Sequence, residues 1–440
     1  MNNRRLLTGL LIAVSVSSQV CADEPVRRTV TLEELYDIAE TSALRLRPTA
    51  DDEEEARRAL NEARDGRLPD IGVAASVGYI ANGFTTDRGF GDRRVAPIPH
   101  LSNGLSLNIT QPVYVGGGIT ARIDMARLGT DAARLSAELE RDNVRMSLTE
   151  WYLDLYKYNN LRRVVESNIA RARKVLADME ARYDQGVALR NDITRYELLL
   201  SDLELQLIRI NNMTDVINNE LVTVAGLPSN TIVVPDSTII DRMPEAAASA
   251  EWWQEEAGRN SPSLRLARTR VDMSLASERM ARSERLPRID LRAGWTLDGP
   301  ILVEVPPINR NLSYWFVGVG ISYNISSVYK GSRKVARARA ATHAAADRSE
   351  VAGQNLGLAV RADHIRYLEA FDELRTQEKS VELARRNYDT TLRRYNEGMA
   401  LITDMLDASD SQLEAEQRLV NARINIIYYY YKLLYTSGKI

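Results

Sequence analysis

Arg67-Leu68-Pro69-Asp70-Ile71-Gly72-Val73-Ala74-Ala75-Ser76-Val77-Gly78-Tyr79 returns later in the chain as Arg285-Leu286-Pro287-Arg288-Ile289-Asp290-Leu291-Arg292-Ala293-Gly294-Trp295-Thr296-Leu297. After each proline the apolar side chains fall on every second residue. Ile71, Val73, Ala75, Val77 and Tyr79 alternate with small residues, and Ile289, Leu291, Ala293, Trp295 and Leu297 alternate with Asp290, Arg292, Gly294 and Thr296. A period of 2 puts each apolar set on one face of a strand. Return strands follow, with Leu105, Leu107 and Ile109, then Trp315, Val317, Val319, Ile321 and Tyr323. Strands are expected at about 69–80, 103–115, 287–297 and 312–325. An ordinary half-buried sheet shows this alternation, and so does a strand with lipid on one face and a watery lumen on the other. In the lipid case four strands are too few. Unpaired strand edges are excluded from hydrocarbon, so several chains must close one barrel.

The repeat extends beyond the strands. From Pro69 to Pro287 the offset is 218 residues, from Val113-Tyr114-Val115-Gly116 to Val328-Tyr329-Lys330-Gly331 it is 215, and from Arg182-Tyr183-Asp184-Gln185-Gly186 to Arg394-Tyr395-Asn396-Glu397-Gly398 it is 212. Preserved order with small length changes marks an internal duplication. Each copy reads as helix, two strands, a very long helix, a glycine turn and a second helix. Copy one opens with a capping box, Thr31 and Glu34, and its charged helix runs to Pro69. Copy two opens at Asn260-Ser261-Pro262 and stops at Pro287. No proline or turn cluster interrupts 118–185 or 332–397, and roughly 65 helical residues span about 100 Å. Val144, Leu148, Trp151, Leu155 and Tyr158 step by four and three, while Leu374, Val381, Tyr388 and Tyr395 step by seven, as coiled-coil seams do. Gly186 and Gly398 end the long helices, and Gly226-Leu227-Pro228 ends the first return helix. The expected organisation is a leader over 1–22, repeats over 23–226 and 261–440, and between them a belt, 227–260, carrying Trp252-Trp253.

Composition fits this reading. Charged residues make up 27% of the 440 and aromatics 6%, closer to long solvated helices than to thick cores. Arg4 and Arg5 precede an apolar run and Val20-Cys21-Ala22, a secretory leader with cleavage expected after Ala22. Cleavage removes the single cysteine, Cys21, and takes the net charge from -3 to -5, which speaks against nucleic-acid binding. No later stretch of about 18 apolar residues offers a membrane-spanning helix. His100, His343 and His364 are scattered, so no metal site and no catalytic constellation emerges. Gly116-Gly117-Gly118 lacks the Gly-Lys-Ser/Thr of a phosphate loop and reads as a strand-to-helix turn.

Tyr395-Asn396-Glu397-Gly398, followed by Asp404, Leu406, Ala408 and Leu413, resembles the signature of the TolC-like outer-membrane efflux and type I secretion channels, with Tyr183 to Asp192 as its weaker twin. The resemblance covers nearly the whole chain after the leader. It implies a mainly α fold with a membrane β-barrel contribution: four strands per protomer in a trimeric 12-stranded barrel above an α-helical barrel. It implies a passive outer-membrane duct across the periplasm, without cofactor or enzymatic activity. The implied partners are two further copies, outer-membrane lipid, a periplasmic adaptor docking at the tips around Gly186, Val187, Gly398 and Met399, and an inner-membrane transporter of RND, ABC or MFS type. The implied constriction involves Tyr395, Asp404 and Asp407, with Asp192 and Arg195 opposite. Asp192 and Asp404 also stand where an aspartate caps a helix start, whereas the counterpart of Asp407 is Arg195, so Asp407 is expected to line the pore with Arg195 as partner. Ala400 replaces an arginine frequent in the family. The rival reading is a periplasmic coiled-coil adaptor, which carries one helical hairpin where this chain has two.

Overall fold

A computed structural model describes residues 26–236, 238, 248–304 and 307–440; the leader expected over 1–22, with Cys21, lies outside them. In chain order the elements are β1 (Val26–Val30), α1 (Leu32–Ser42), α2 (Arg47–Asp65), β2 (Asp70–Tyr79), β3 (Gly83–Thr85), β4 (Arg94–Ala96), β5 (Leu101–Tyr114), α3 (Gly118–Asp184), α4 (Arg190–Ala225) and β6 (Thr231–Pro235). They continue with α5 (Ala250–Asn260), α6 (Pro262–Ser283), β7 (Arg288–Gly299), β8 (Leu312–Ser322), α7 (Ser326–Asn396) and α8 (Ile402–Ser437). Among the described residues no helix is long and apolar enough to cross a membrane.

The four long strands form one antiparallel sheet in the order β2-β5-β7-β8, with β2 and β8 as open edges. Register aligns Val73, Leu107, Trp295 and Trp315 in one row, and Ile71, Ile109, Ala293 and Val317 in the next. Rows of the opposite face read Ala74, Ser106, Thr296, Tyr314 and Gly72, Asn108, Gly294, Phe316. One face is therefore apolar and the other mostly small or polar. The apolar face has no cover within the chain: Val73 is 71% exposed and Trp315 75%. On the other face the Phe316 ring lies where a side chain at Gly294 would stand, 2.6 Å from an ideal Cβ.

The helices joined to these strands, α2, α3, α6 and α7, pack side by side in the same order as the strands. Further along, α3 pairs with α4 and α7 with α8 to make two hairpins, which meet chiefly through α3 and α8. The expected seams carry the packing. Val144, Leu148, Leu155, Val381 and Tyr388 are buried, while Trp151, Tyr158, Leu374 and Tyr395 are partly buried against the same clusters. The consecutive tyrosines of α8 reach both α3 and α7, because successive residues turn 100°. Tyr428 donates to Glu150 on α3, Tyr430 packs on Tyr367 of α7, and Tyr431 faces the cluster around Leu148.

A small two-stranded unit packs beside α3 and the end of α4. β1 pairs in parallel with β6, and the buried Tyr152 of α3 ties both strands, donating to the Val30 carbonyl at 2.9 Å and accepting from the Asp236 amide at 2.8 Å.

Three sequence expectations need adjustment. The first helix is broken after Ser42, where Ala43 is extended and a 3-10 turn, Leu44–Leu46, leads into α2 with Pro48 in its first turn. The second long helix starts at Ser326 rather than Ser332, because the Asn324 side chain accepts from the Ser326 amide and hydroxyl, and Gly331 lies inside the helix against Arg285. Finally, α5 carries Trp252-Trp253 in the position that α1 holds in copy one. Gly226 closes α4 against Ser42 at the end of α1, and Gly438 closes α8 against Asn260 at the end of α5.

Candidate functional site at the hairpin ends

Both hairpins turn by the same backbone device. At the first, the Gly186 and Val187 amides donate to the carbonyls of Tyr183 and Arg182; at the second, those of Gly398 and Met399 donate to Tyr395 and Arg394. This bond pair closes a helix on a left-handed residue, and Gly186 and Gly398 have φ of +77° and +73°. An added Cβ at either meets nothing within 4 Å, so the backbone angle alone selects glycine here. Beyond each glycine the turn exposes two apolar side chains, Val187 and Leu189 or Met399 and Leu401. Leu189 and Leu401 escaped the sequence reading, although they recur at the same 212-residue offset as the glycines.

Two hydrogen bonds join one hairpin end to the other. The Tyr395 hydroxyl donates to Asp192 at 3.4 Å, and Arg182 donates to the Asn396 carbonyl at 3.0 Å. Burial and the neighbouring Asp192 charge push the Tyr395 hydroxyl above the ordinary phenol range, so it stays protonated and able to donate. Above this level Tyr196 and Tyr388 are buried in the apolar cluster, and burial pushes both hydroxyls up as well.

The aspartates divide. Asp404 caps its helix, accepting from the Leu401 amide at 3.0 Å. Asp192 occupies the equivalent place on α4, but its carboxylate turns to Tyr395, so the symmetric capping expectation fails for it. Asp407 is exposed, and its charge, together with that of Asp202, faces Asp410, whose carboxyl is pushed up first by burial and then by these two acids. Arg195 is also exposed and makes no ion pair with Asp407 inside the chain. Met405 and Ile193 face the shared seam, and two residues further round a helix is about 200°, which turns Asp407 and Arg195 away from each other's hairpin.

One buried polar group had no sequence signal. Glu416 of α8, buried at 7% exposure, accepts from Asn168, Arg171, Arg385 and Gln412. Its partners on α3 lie more than 240 positions away. Among the described residues no cluster of His, Cys, Asp or Glu is arranged to hold a metal; His100 stacks on Tyr79, and His364 contacts the Ala248 carbonyl.

A model of the family described as "Outer membrane efflux protein" matches residues 35–227 and 253–427, one block in each copy. The pyoverdine export outer membrane protein OpmQ of Pseudomonas putida is 21% identical over 90% of this chain and 83% of its own. The outer membrane protein TolC of Escherichia coli is 20% identical over 95% and 84%. Among solved structures, the outer-membrane channel OprN superposes with a TM-score of 0.77 at 19% identity, covering 93% of this chain and 90% of that one. The outer membrane protein VceC of Vibrio cholerae gives 0.75 at 17% identity, covering 92% and 96%.

Proposed function

Because the chain belongs to the outer membrane efflux protein family, and is therefore a passive channel of the outer membrane rather than an enzyme, we propose that it is the trans-periplasmic exit duct of a tripartite efflux pump or type I secretion system. The observation that carries this reading is the sheet with two open edges and an uncovered apolar face, continued strand by strand into α2, α3, α6 and α7. Such a sheet is complete only when copies close it. Two copies give eight strands, whose interior side chains fill, whereas three give 12 and leave a lumen. Three copies place the apolar rows in lipid and the small, polar rows around the passage.

At the far end the hairpins form the mouth. Asp407, Asp410 and Asp202 repeated three times make it acidic, which draws cations and slows anions. The turn residues Gly186, Val187, Gly398 and Met399, extended by Leu189 and Leu401, offer a periplasmic adaptor an apolar landing point, and the adaptor links the duct to an inner-membrane transporter of RND, ABC or MFS type. The coiled-coil adaptor alternative falls with the family assignment.

Single-channel conductance of the detergent-purified protein in a planar bilayer, with its mass in the same detergent, tests the proposal. A trimer passing discrete, cation-preferring currents is expected; a non-conducting species that needs no detergent overturns it. In the same apparatus Asp407→Ala should weaken block by multivalent cations, and block unchanged from wild type removes Asp407 from the mouth. Tyr395→Phe deletes one hydrogen bond to a charged group, about 1.5–3 kcal/mol at most for so long a contact, and should raise conductance with little change in the thermal midpoint of the trimer. Unaltered conductance removes the Tyr395 to Asp192 contact from closure.

A further inference from the structure

The apolar seam between the hairpins is interrupted partway along α8. Below the interruption Met405 and Ala408 belong to the cluster containing Ile193, Tyr196 and Tyr388; above it Ile424 and Ile427 pack on Leu153 of α3. Between them lie Gln412 and Glu416, 4% and 7% exposed. A carboxylate taken out of water needs partners for its charge and its lone pairs. Glu416 has four. Arg385 on α7 and Gln412 on α8 each donate at 3.1 Å, and both belong to the second hairpin, as Glu416 does. Asn168 at 3.2 Å and Arg171 at 3.3 Å come from α3 of the first hairpin. Burial opposes the charge, but the Gln412 bond, the Arg171 charge and the Asn168 and Arg385 bonds outweigh it and hold the carboxyl below its usual range.

Apolar contacts slide, since one packed arrangement passes into another without leaving a group unpaired. A buried ion cannot, because displacement strands its charge; a single polar layer in a coiled-coil seam fixes register for this reason. Arg171 also donates to Asn168, so the first hairpin presents both donors as one unit.

We infer that Glu416 is a clasp, a positioning residue that locks the second hairpin onto α3 above the mouth, and that the mouth widens only when the Arg171 and Asn168 contacts to Glu416 are broken. The clasp is a second level of closure, separate from the Tyr395 and Arg182 contacts at the turns. It rests on the channel reading above. Arg385 and Gln412 play a different part: they travel with Glu416 and keep its charge satisfied on either side of the transition, so the two arginines, similar in distance, differ in consequence.

The test compares Arg171→Ala, Arg171→Lys and Arg385→Ala in the detergent-purified full-length protein, by single-channel conductance and by hydrogen exchange of the amides of 402–416. Arg171→Ala is expected to raise conductance at least threefold and exchange at least tenfold. Arg171→Lys, which keeps the charge, should fall within twofold of wild type, and so should Arg385→Ala. The clasp is overturned if Arg171→Ala matches wild type in both readouts, or if Arg171→Ala and Arg385→Ala change them equally, as loss of general stability would make them do. A wild type that passes no current refutes the channel reading, while exchange still decides whether Arg171 holds the hairpins together.

Discussion

Leu107→Arg should prevent assembly into the outer membrane, whereas Ser106→Arg, one residue away, should assemble. Leu107 lies in the row Val73, Leu107, Trp295, Trp315 on the apolar face, and Ser106 lies in the row Ala74, Ser106, Thr296, Tyr314 on the other. An arginine on the lipid face of a barrel costs about 2–4 kcal/mol near the midplane, and substitutions facing the lumen are tolerated. Three copies would place three such charges in one barrel. The measurement is the amount of detergent-resistant trimer in isolated outer membranes. Equal amounts for the two variants would mean that the faces are not distinguished by lipid, and the sheet would have to be buried by protein instead.

Gly226→Ala should lower the thermal midpoint of the purified trimer far more than Gly186→Ala, though both glycines close a helix with positive φ, +72° and +77°. The backbone term is common to both and amounts to about 1–2 kcal/mol for a residue with a Cβ in this region. They differ in surroundings. At Gly186 an added methyl enters open space, whereas at Gly226 it stands 2.5 Å from the Ser42 carbonyl oxygen. Backbone cannot rotate aside as a side chain does, so forcing α1 away from α4 adds a further 1–3 kcal/mol or so of overpacking. Similar midpoints for the two variants would show that α1 moves freely against α4 and does not brace the first hairpin. Gly438, 2.9 Å from Asn260 by the same measure, should behave like Gly226.

The contrast between these glycines shows what could be read in advance. That a glycine ends each long helix was legible from Tyr183-x-x-Gly186 and Tyr395-x-x-Gly398, because the left-handed turn is a local demand. That Gly226 also leaves room for Ser42 was not, because the two are far apart in the chain. The same division runs through the polar groups. Asp404 caps the helix on which it sits, a contact three residues long. Asp192, with the same local setting, is drawn to Tyr395 across 203 positions, and no local rule announces that. Likewise Glu416 reads as one more acid on a charged helix until the hairpins are brought together.

Most of what depends on period and punctuation was thus carried by the sequence, the break after Ser42 and the helix start at Ser326 being the exceptions. The two-residue alternation set four strands with one apolar face, seven-residue spacing set two long seams, glycines set the hairpin ends, and the 212- to 218-residue offsets declared two copies of one unit. These follow from backbone geometry, which every segment obeys regardless of its neighbours. Tertiary structure alone decided the order β2-β5-β7-β8, the seating of α5 as the counterpart of α1, the turn of Asp192 toward Tyr395, and the burial of Glu416 among partners from three helices. Each of these depends on which distant surface excludes water from a given side chain, and that is settled only when the two copies pack against one another.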